Sequence, residues 1–273
     1  MPELPEVETI KSGLQKVITG KMIKKFESLD SKVVRFKSIN IGNTHIKNIE
    51  RRVKMLIINL DNGKSLLIHL KLTGQLIWKK SKNNEFPNKF TRAFFNLGDG
   101  SRLYFNDLRR FGYIKLYETN ELINVPELKK LGPEPLGEKF KSQIPNLKII
   151  IKNSKKPIKN LLMDQTFIAG IGNIYADEIL FYAGILPNRK ANRLDNDEIE
   201  KIFAAIPVIL KRGIKYGGTS VDAYLNAFGK EGEMAQYLMV YRKTGKSCRK
   251  CGTKVKRITL GGRGTHFCER CQK

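Results

Sequence analysis

The chain has 273 residues, 41% of them hydrophobic, and carries 51 Lys and Arg against 26 Asp and Glu, for a formal net charge of +25. That length supports a buried core and two domains, and no apolar run reaches about 18 residues, so no membrane-spanning helix is expected. The charge excess implies a polyanionic partner, nucleic acid ahead of an anionic membrane surface, although part of it is a lysine coat spread over the whole chain.

The first residues, MPELPEVET, are acidic and contain prolines, unlike a signal peptide; a cytoplasmic or nucleoid location is expected. Val7, Ile10, Leu14, Val17 and Ile18 recur at helical intervals, and Gly20 is a plausible stop. Glu3 and Glu6 lie where a helix dipole favours negative charge. From there to about residue 118 the pattern is that of β-structure. Val53–Leu60 and Ser65–Leu70 flank the turn Asp61-Asn62-Gly63, and Ala93–Leu97 and Arg102–Phe105 flank Gly98-Asp99-Gly100. Tyr113–Tyr117 reads as a further strand.

Asn120–Ser142, with LGPEPLG inside it, is rich in proline and glycine and reads as a linker. Helical segments follow at Ile158–Met163, Asn173–Tyr182 and Asp195–Arg212, the last with Ile199, Ile202, Phe203, Ile206 and Ile209 on one face. The expected division is an N-terminal domain over 1–130, a linker over 131–147, a helical domain over 148–235 and a terminal finger over 236–273.

All four cysteines fall in the last 26 residues, as Cys248-x-x-Cys251 and Cys268-x-x-Cys271 with sixteen residues between the pairs. Two such knuckles predict one zinc ion, with Gly252, Gly261, Gly262 and Gly264 supplying the bends. Four sulfurs complete the shell, so the zinc is expected to be structural. Disulfides or a redox pair are the alternative, disfavoured by a reducing cytoplasm. His266 adjoins the second pair. His45 and His69 read as support residues, and no Ser/His/Asp arrangement or phosphate-binding loop is present.

If Met1 is removed, Pro2 holds a free secondary amine. An α-amine has a pKa near ~8, so much of it is neutral and nucleophilic near neutral pH. Attack on a sugar C1′ gives an iminium ion, an electron sink for elimination, with Glu3 as a neighbouring acid or base. A Met-Pro start is common, and by itself this is a weak signal.

The start MPELPEVET, the paired CxxC knuckles and the basic charge together resemble the formamidopyrimidine-DNA glycosylase family. The resemblance continues through HLKLTG (69–74), NDLRRFG (106–112), LGPEPL (131–136), LLMDQTFIAGIGNIYADEILF (161–181), GGTSVDAYLNAFG (217–229) and GGRGTHFC (261–268). It implies an α+β protein: an N-terminal β-sandwich with one N-terminal helix, a helical domain with a helix–two-turn–helix, and a zinc β-hairpin finger. The implied activity is excision of oxidised purines from duplex DNA in base excision repair, followed by β,δ-elimination at the abasic site, by a monomer.

By the same resemblance Pro2 is the Schiff-base nucleophile and Glu3 its acid/base partner, with Lys54 and Arg263 completing the catalytic set. Lys54, Asn173 and Arg263 hold phosphates. Leu72, Arg109 and Phe111 fill the gap left by an extruded base, Leu72 standing where the family has Met. Glu6 lines or braces the base pocket, Thr219 and Ser220 belong to the loop that closes on the base, and Tyr175 and Glu178 support the Asn173 element. The chain departs from the pattern at Leu108 and Ser247, where proline is usual, and at Arg242, where glycine is usual. Two alternatives stand beside this reading: the endonuclease VIII branch, which acts on oxidised pyrimidines, and a non-catalytic zinc DNA-binding protein.

Overall fold

The computed structural model describes residues 1–36, 41–81 and 85–273. They form two compact units, Met1–Lys129 with Gly213–Ala235, and Lys130–Arg212 with Gln236–Lys273. The described residues group differently from the expected helical domain over 148–235, because the chain changes unit inside the helix α6 (Asn196–Lys215). The physical reason lies in hydrogen bonding. Beyond Lys215 the backbone finds its partners on N-terminal elements: Thr219 N–H donates to Glu6, Gln75 Nε2 donates to the Ala223 carbonyl, and Trp78 N–H donates to the Ala227 carbonyl.

The first unit begins with α1 (Leu4–Ile18). Val7, Ile10, Leu14 and Ile18 are fully buried, while Val17 is only half-buried at the stripe's edge. Burying each such side chain contributes on the order of 1.5–3 kcal/mol, and Leu14→Ala would forfeit about 2–5 kcal/mol with the cavity it leaves. Gly20 adopts φ +79°, the left-handed conformation that ends the helix without a Cβ clash.

Eight antiparallel strands follow: β1 (Met22–Ser28), β2 (Thr44–Arg52), β3 (Met55–Leu60), β4 (Lys64–His69), β5 (Gly74–Lys79), β6 (Thr91–Leu97), β7 (Arg102–Asp107) and β8 (Tyr113–Glu118). Their order is β5-β7-β6-β1-β2-β3-β4-β8, with β1 and β2 paired only at Met22–His45 and Ile23–Thr44. That short corner divides the strands into two four-stranded layers, a β-sandwich. Residues from both layers and from α1 share one core. Both expected hairpins form, joining β3 to β4 and β6 to β7.

The expected linker holds more structure than its proline and glycine content suggests. It contains a 3-10 turn (Thr119–Asn124), the one-turn helix α2 (Pro126–Lys129) and the start of α3 (Phe140–Asn153). In the second unit α4 (Ile158–Leu162), α5 (Asn173–Ala183) and α6 supply the helices, and β9 (Lys256–Leu260) pairs with β10 (Arg263–Phe267) in the terminal hairpin. Ile199, Ile202, Phe203, Ile206 and Ile209 are all buried along α6, as their spacing predicts. No helix among the described residues is long and apolar enough to cross a membrane.

Candidate functional site

In the first unit, hydrogen bonds tie the N-terminal residues Glu3 and Glu6 to the 217–220 loop, and a separate set joins the Leu72 and Arg109 turns. Pro2 is buried ahead of α1, and Glu3 caps the helix while only 2% exposed. Glu3 and Glu6 form a reciprocal capping box, with Glu3 N–H donating to Glu6 Oε2 at 2.8 Å. The second oxygen of Glu6 accepts Thr219 N–H, also at 2.8 Å. One buried carboxylate therefore braces both the N-terminus and the 217–220 loop.

That loop is tightly bonded. Tyr224 Oη donates to the Gly217 carbonyl, and Ser220 Oγ donates to the Tyr224 carbonyl while accepting Gly232 N–H. Gly218 has φ +87°, and a Cβ there would come within 2.8 Å of the Tyr224 ring. The polar groups of Glu6, Thr219 and Ser220 named here thus have partners inside the protein.

One turn further along α1, Glu8 accepts Arg51 Nε at 2.6 Å, and Arg51 Nη1 donates to the Val53 carbonyl at 3.0 Å. Burial alone would raise the Glu8 pKa, but the hydrogen bonds from Arg51 and Lys11 outweigh it and leave the carboxyl below its usual range. Val53 adopts φ +60°, an unfavourable conformation for a β-branched residue, and Lys54 follows it in the β2–β3 turn. Lys54 is 7% exposed rather than a solvated strand lysine. Burial, Lys71 and Lys54 together lower the His69 pKa to about 3, so the ring is neutral near pH 7. His69 Nδ1 accepts Lys71 N–H at 3.0 Å, which places the ring proton on Nε2.

The β4–β5 turn carries Lys71 at φ +51° and the half-buried Leu72. Thr73 Oγ1 donates to Asp107 Oδ1 and accepts Arg109 N–H at 3.0 Å. Asp107 also accepts Arg109 N–H at 3.1 Å and Gly112 N–H at 2.7 Å. Out of this bonded base project Leu108, 57% exposed, and Phe111, 53% exposed, with the Arg109 guanidinium 4.9 Å from the Phe111 ring centroid. Phe111 is not a core aromatic. Arg110, at φ +58°, turns away to Asp30 at 2.6 Å.

In the second unit Asn173 is the first residue of α5, and Gly172 rather than Asn173 occupies the cap. Asn173 Nδ2 donates to the Gly264 carbonyl at 3.2 Å. The same carbonyl accepts Lys159 Nζ, which is fully buried and also reaches Thr265 Oγ1 at 2.8 Å and Asp177 Oδ1 at 2.7 Å. Asp177 Oδ2 accepts His266 N–H at 2.9 Å. Glu178, also buried, accepts the N–H groups of Met239, Val240 and Tyr241. Tyr175 is fully buried. The hairpin turns through Gly261 at φ +56° and Gly262 at φ +72°, leaving Arg263 exposed beside the tip.

The four cysteine sulfurs lie within 4.8 Å of one another, with Cys248 and Cys271 3.9 Å apart and Cys251 and Cys268 3.5 Å apart. A tetrahedron with Zn–S bonds of ~2.3 Å needs about 3.8 Å between sulfurs, so the set fits zinc.

The family model for the formamidopyrimidine-DNA glycosylase N-terminal domain matches residues 1–114, that for its H2TH domain matches 131–224, and the zinc finger found in FPG and IleRS matches 245–273. The chain belongs to the formamidopyrimidine-DNA glycosylase family. It is 41% identical to the glycosylase of Pelotomaculum thermopropionicum, over 100% of this chain and 99% of that protein, and 40% identical to that of Rickettsia bellii, over 100% of both. Among solved structures, the Lactococcus lactis Fpg in complex with abasic-site DNA matches with a TM-score of 0.92 at 34% identity, covering 100% of each chain. A complex of the same protein with Fapy-dG DNA matches at 0.91 and 34%, covering 99% and 100%. The Fpg of Thermus thermophilus matches at 0.89 and 36%, covering 99% and 98%. The chain is a DNA glycosylase of base excision repair, it works on DNA, and its cysteines form the zinc site of the finger.

Sequence reasoning passed over several organising residues. Asp107 lay unremarked inside the NDLRRFG motif. Arg51 and Glu8 resemble any surface ion pair in sequence. Lys159 and Asp177 gave no signal, since lysine is almost never fully buried.

Proposed function

We propose that the enzyme excises 8-oxoguanine and formamidopyrimidines from duplex DNA through a Schiff base on Pro2, and then cleaves the strand by β,δ-elimination. The observation that carries this reading is the Pro2–Glu3 pair, buried at the positive end of α1 and clamped there by Glu6.

With Met1 removed, the Pro2 nitrogen lone pair attacks C1′, and the nitrogen then loses its proton. The bond from C1′ to the base breaks, and its electron pair leaves with the base, which takes up a proton. Opening of the sugar C1′–O bond then gives the iminium ion, and the ring oxygen takes up a proton. The iminium withdraws electrons from C2′, which loses a proton as the 3′ C–O bond breaks. In a second elimination C4′ loses a proton as the C5′–O bond breaks, releasing the phosphate on the 5′ side. Glu3 is the group placed to carry protons to and from these atoms.

In this reading Lys54, Asn173 and Arg263 hold phosphates, and the neutral His69 beside Lys54 adds no competing charge. Leu72, Arg109 and Phe111 occupy the gap left by the extruded base. Glu6 braces the 217–220 loop, with Thr219 and Ser220 shaping it over the base. Zinc, held by Cys248, Cys251, Cys268 and Cys271, folds the finger; four sulfurs leave it no open position for chemistry. The enzyme acts as a monomer in the cytoplasm, at the nucleoid.

Borohydride trapping on an 8-oxoguanine duplex tests this directly, alongside mass analysis of the N-terminus. A covalent protein–DNA adduct at Pro2 is expected from the Met1-free protein. A Met1-free preparation that yields no adduct overturns the reading, and a strong preference for thymine glycol would move the enzyme to the oxidised-pyrimidine branch.

A further inference from the structure

We infer that Asp107 is a positioning residue that joins the Leu72 turn to the Arg109–Phe111 loop, so that the two enter the duplex as one wedge. The inference rests on the proposed gap-filling roles of Leu72, Arg109 and Phe111.

Asp107 ends β7 and is fully buried. All three of its hydrogen bonds described above come from neutral donors on two turns: Thr73 Oγ1 on one, and the N–H groups of Arg109 and Gly112 on the other. Three hydrogen bonds converging on one carboxyl offset the cost of burying it. Holding the Arg109–Gly112 loop alone would need only the two backbone bonds. The Thr73 bond adds a partner 34 residues away in sequence. It also closes a triangle, because Thr73 Oγ1 itself accepts Arg109 N–H.

The strands and glycines are arranged around that triangle. In the β5–β7 pair Gly74 lies opposite Asp107, so the turn and the loop leave the same end of one ladder. A Cβ on Gly112 would come within 2.9 Å of the Phe105 ring and 3.0 Å of both Asp107 Oδ2 and the His69 carbonyl; glycine alone lets this N–H reach the carboxylate. A Cβ on Gly74 would come within 2.5 Å of the Leu70 carbonyl, so the Leu72 turn closes only with glycine there. At the loop's apex Arg110 is held by Asp30, and Arg109 lies over Phe111. Displacing the Leu72 turn therefore pulls, through Thr73 and Asp107, on the backbone that aims Arg109 and Phe111.

The test compares base excision from an 8-oxoguanine duplex with cleavage of a preformed abasic duplex, for which no base needs extruding. The readout is the ratio of the two single-turnover rates, with thermal melting as the folding check. Thr73→Val removes the linking hydroxyl, keeps the side-chain shape and leaves the Asp107 bonds to Arg109 and Gly112 in place. It is expected to lower the ratio about tenfold, as a misplacement of well under an ångström would, with Phe111→Ala lowering it similarly. Thr73→Ser is expected to restore it, and Asp107→Asn to lower it at least as far as Thr73→Val. If Phe111→Ala lowers the ratio and Thr73→Val does not, the coupling is wrong while the wedge stands. An unchanged ratio in Phe111→Ala removes the wedge and the coupling with it. A lowered ratio in Thr73→Val that Thr73→Ser fails to restore also overturns the assignment.

Discussion

The two units hold the side chains proposed to meet DNA by different physical means. In the first, three turns adjoin non-glycine residues in the left-handed region: Val53 before Lys54, Lys71 before Leu72, and Arg110 between Arg109 and Phe111. Each such conformation costs on the order of 1–2 kcal/mol and persists only where the surroundings over-determine it. Here Arg51 secures the Val53 carbonyl, His69 the Lys71 amide and Asp30 the Arg110 side chain. In the second unit the Arg263 tip turns on two glycines, for which a left-handed conformation is unstrained, and rigidity comes from below. The buried Lys159–Asp177–His266 contacts and the four cysteines supply it. A strained backbone aims side chains where the surface itself must act, whereas buried charge and metal fix a hairpin that lacks a large core of its own.

The largest expected effect breaks the second arrangement at its metal. Zinc binding contributes roughly 10–16 kcal/mol of apparent folding energy to isolated fingers, so chelation is expected to unfold the hairpin and abolish duplex binding. Retained affinity in a gel-shift assay, after zinc loss is confirmed by metal analysis, would contradict the division of labour. Next in size is Lys159→Met. It leaves Asp177 buried without its cation and is expected to destabilise the protein by about 3–5 kcal/mol in urea unfolding. A loss below about 1 kcal/mol would show that the buried pair is not what steadies the hairpin.

Lys54→Ala and Arg263→Ala sharpen the comparison at the level of DNA. Each is expected to reduce the slope of log affinity against log salt by about 0.9, the increment for one phosphate contact. An unchanged slope in either variant removes that residue from the phosphate contacts. The smallest expected effect concerns Arg242, the one second-unit residue that breaks the pattern, with φ +56° where the family has glycine. Arg242→Gly relieves the left-handed strain and is expected to raise stability by about 1 kcal/mol, measurable as a higher urea midpoint. A lowered midpoint would mean that the contacts of the arginine outweigh its strain.

How much of this was legible in the sequence depended on how local the cause was. The α1 stripe, both hairpin turns and the cysteine knuckles follow from residues within a few positions of one another, and each was readable. The helix α3 was not: Pro145 sits inside it and a Pro- and Gly-rich stretch precedes it, so local signals opposed a helix that the unit's packing stabilises. Residues 213–235 group with the first unit through partners, Glu6, Gln75 and Trp78, that are far away in sequence, a link no local signal carries. The strain at Val53 was invisible, since valine carries no signal for a positive φ. The motif around residue 107 is local, but Thr73, which donates to the Asp107 carboxylate, lies 34 positions away, beyond the reach of any local pattern.

The Glu6 carboxylate joins the second residue of a capping box to an amide 213 positions later. During synthesis, then, the N-terminal end leaves the ribosome long before the segment that fastens it exists. Throughout that interval the Met1–Pro2 bond lies on a chain end held at most by its own capping box, open to an aminopeptidase. Under the proposed chemistry, the order of translation would give the Pro2 amine time to be uncovered before Thr219 closes on Glu6.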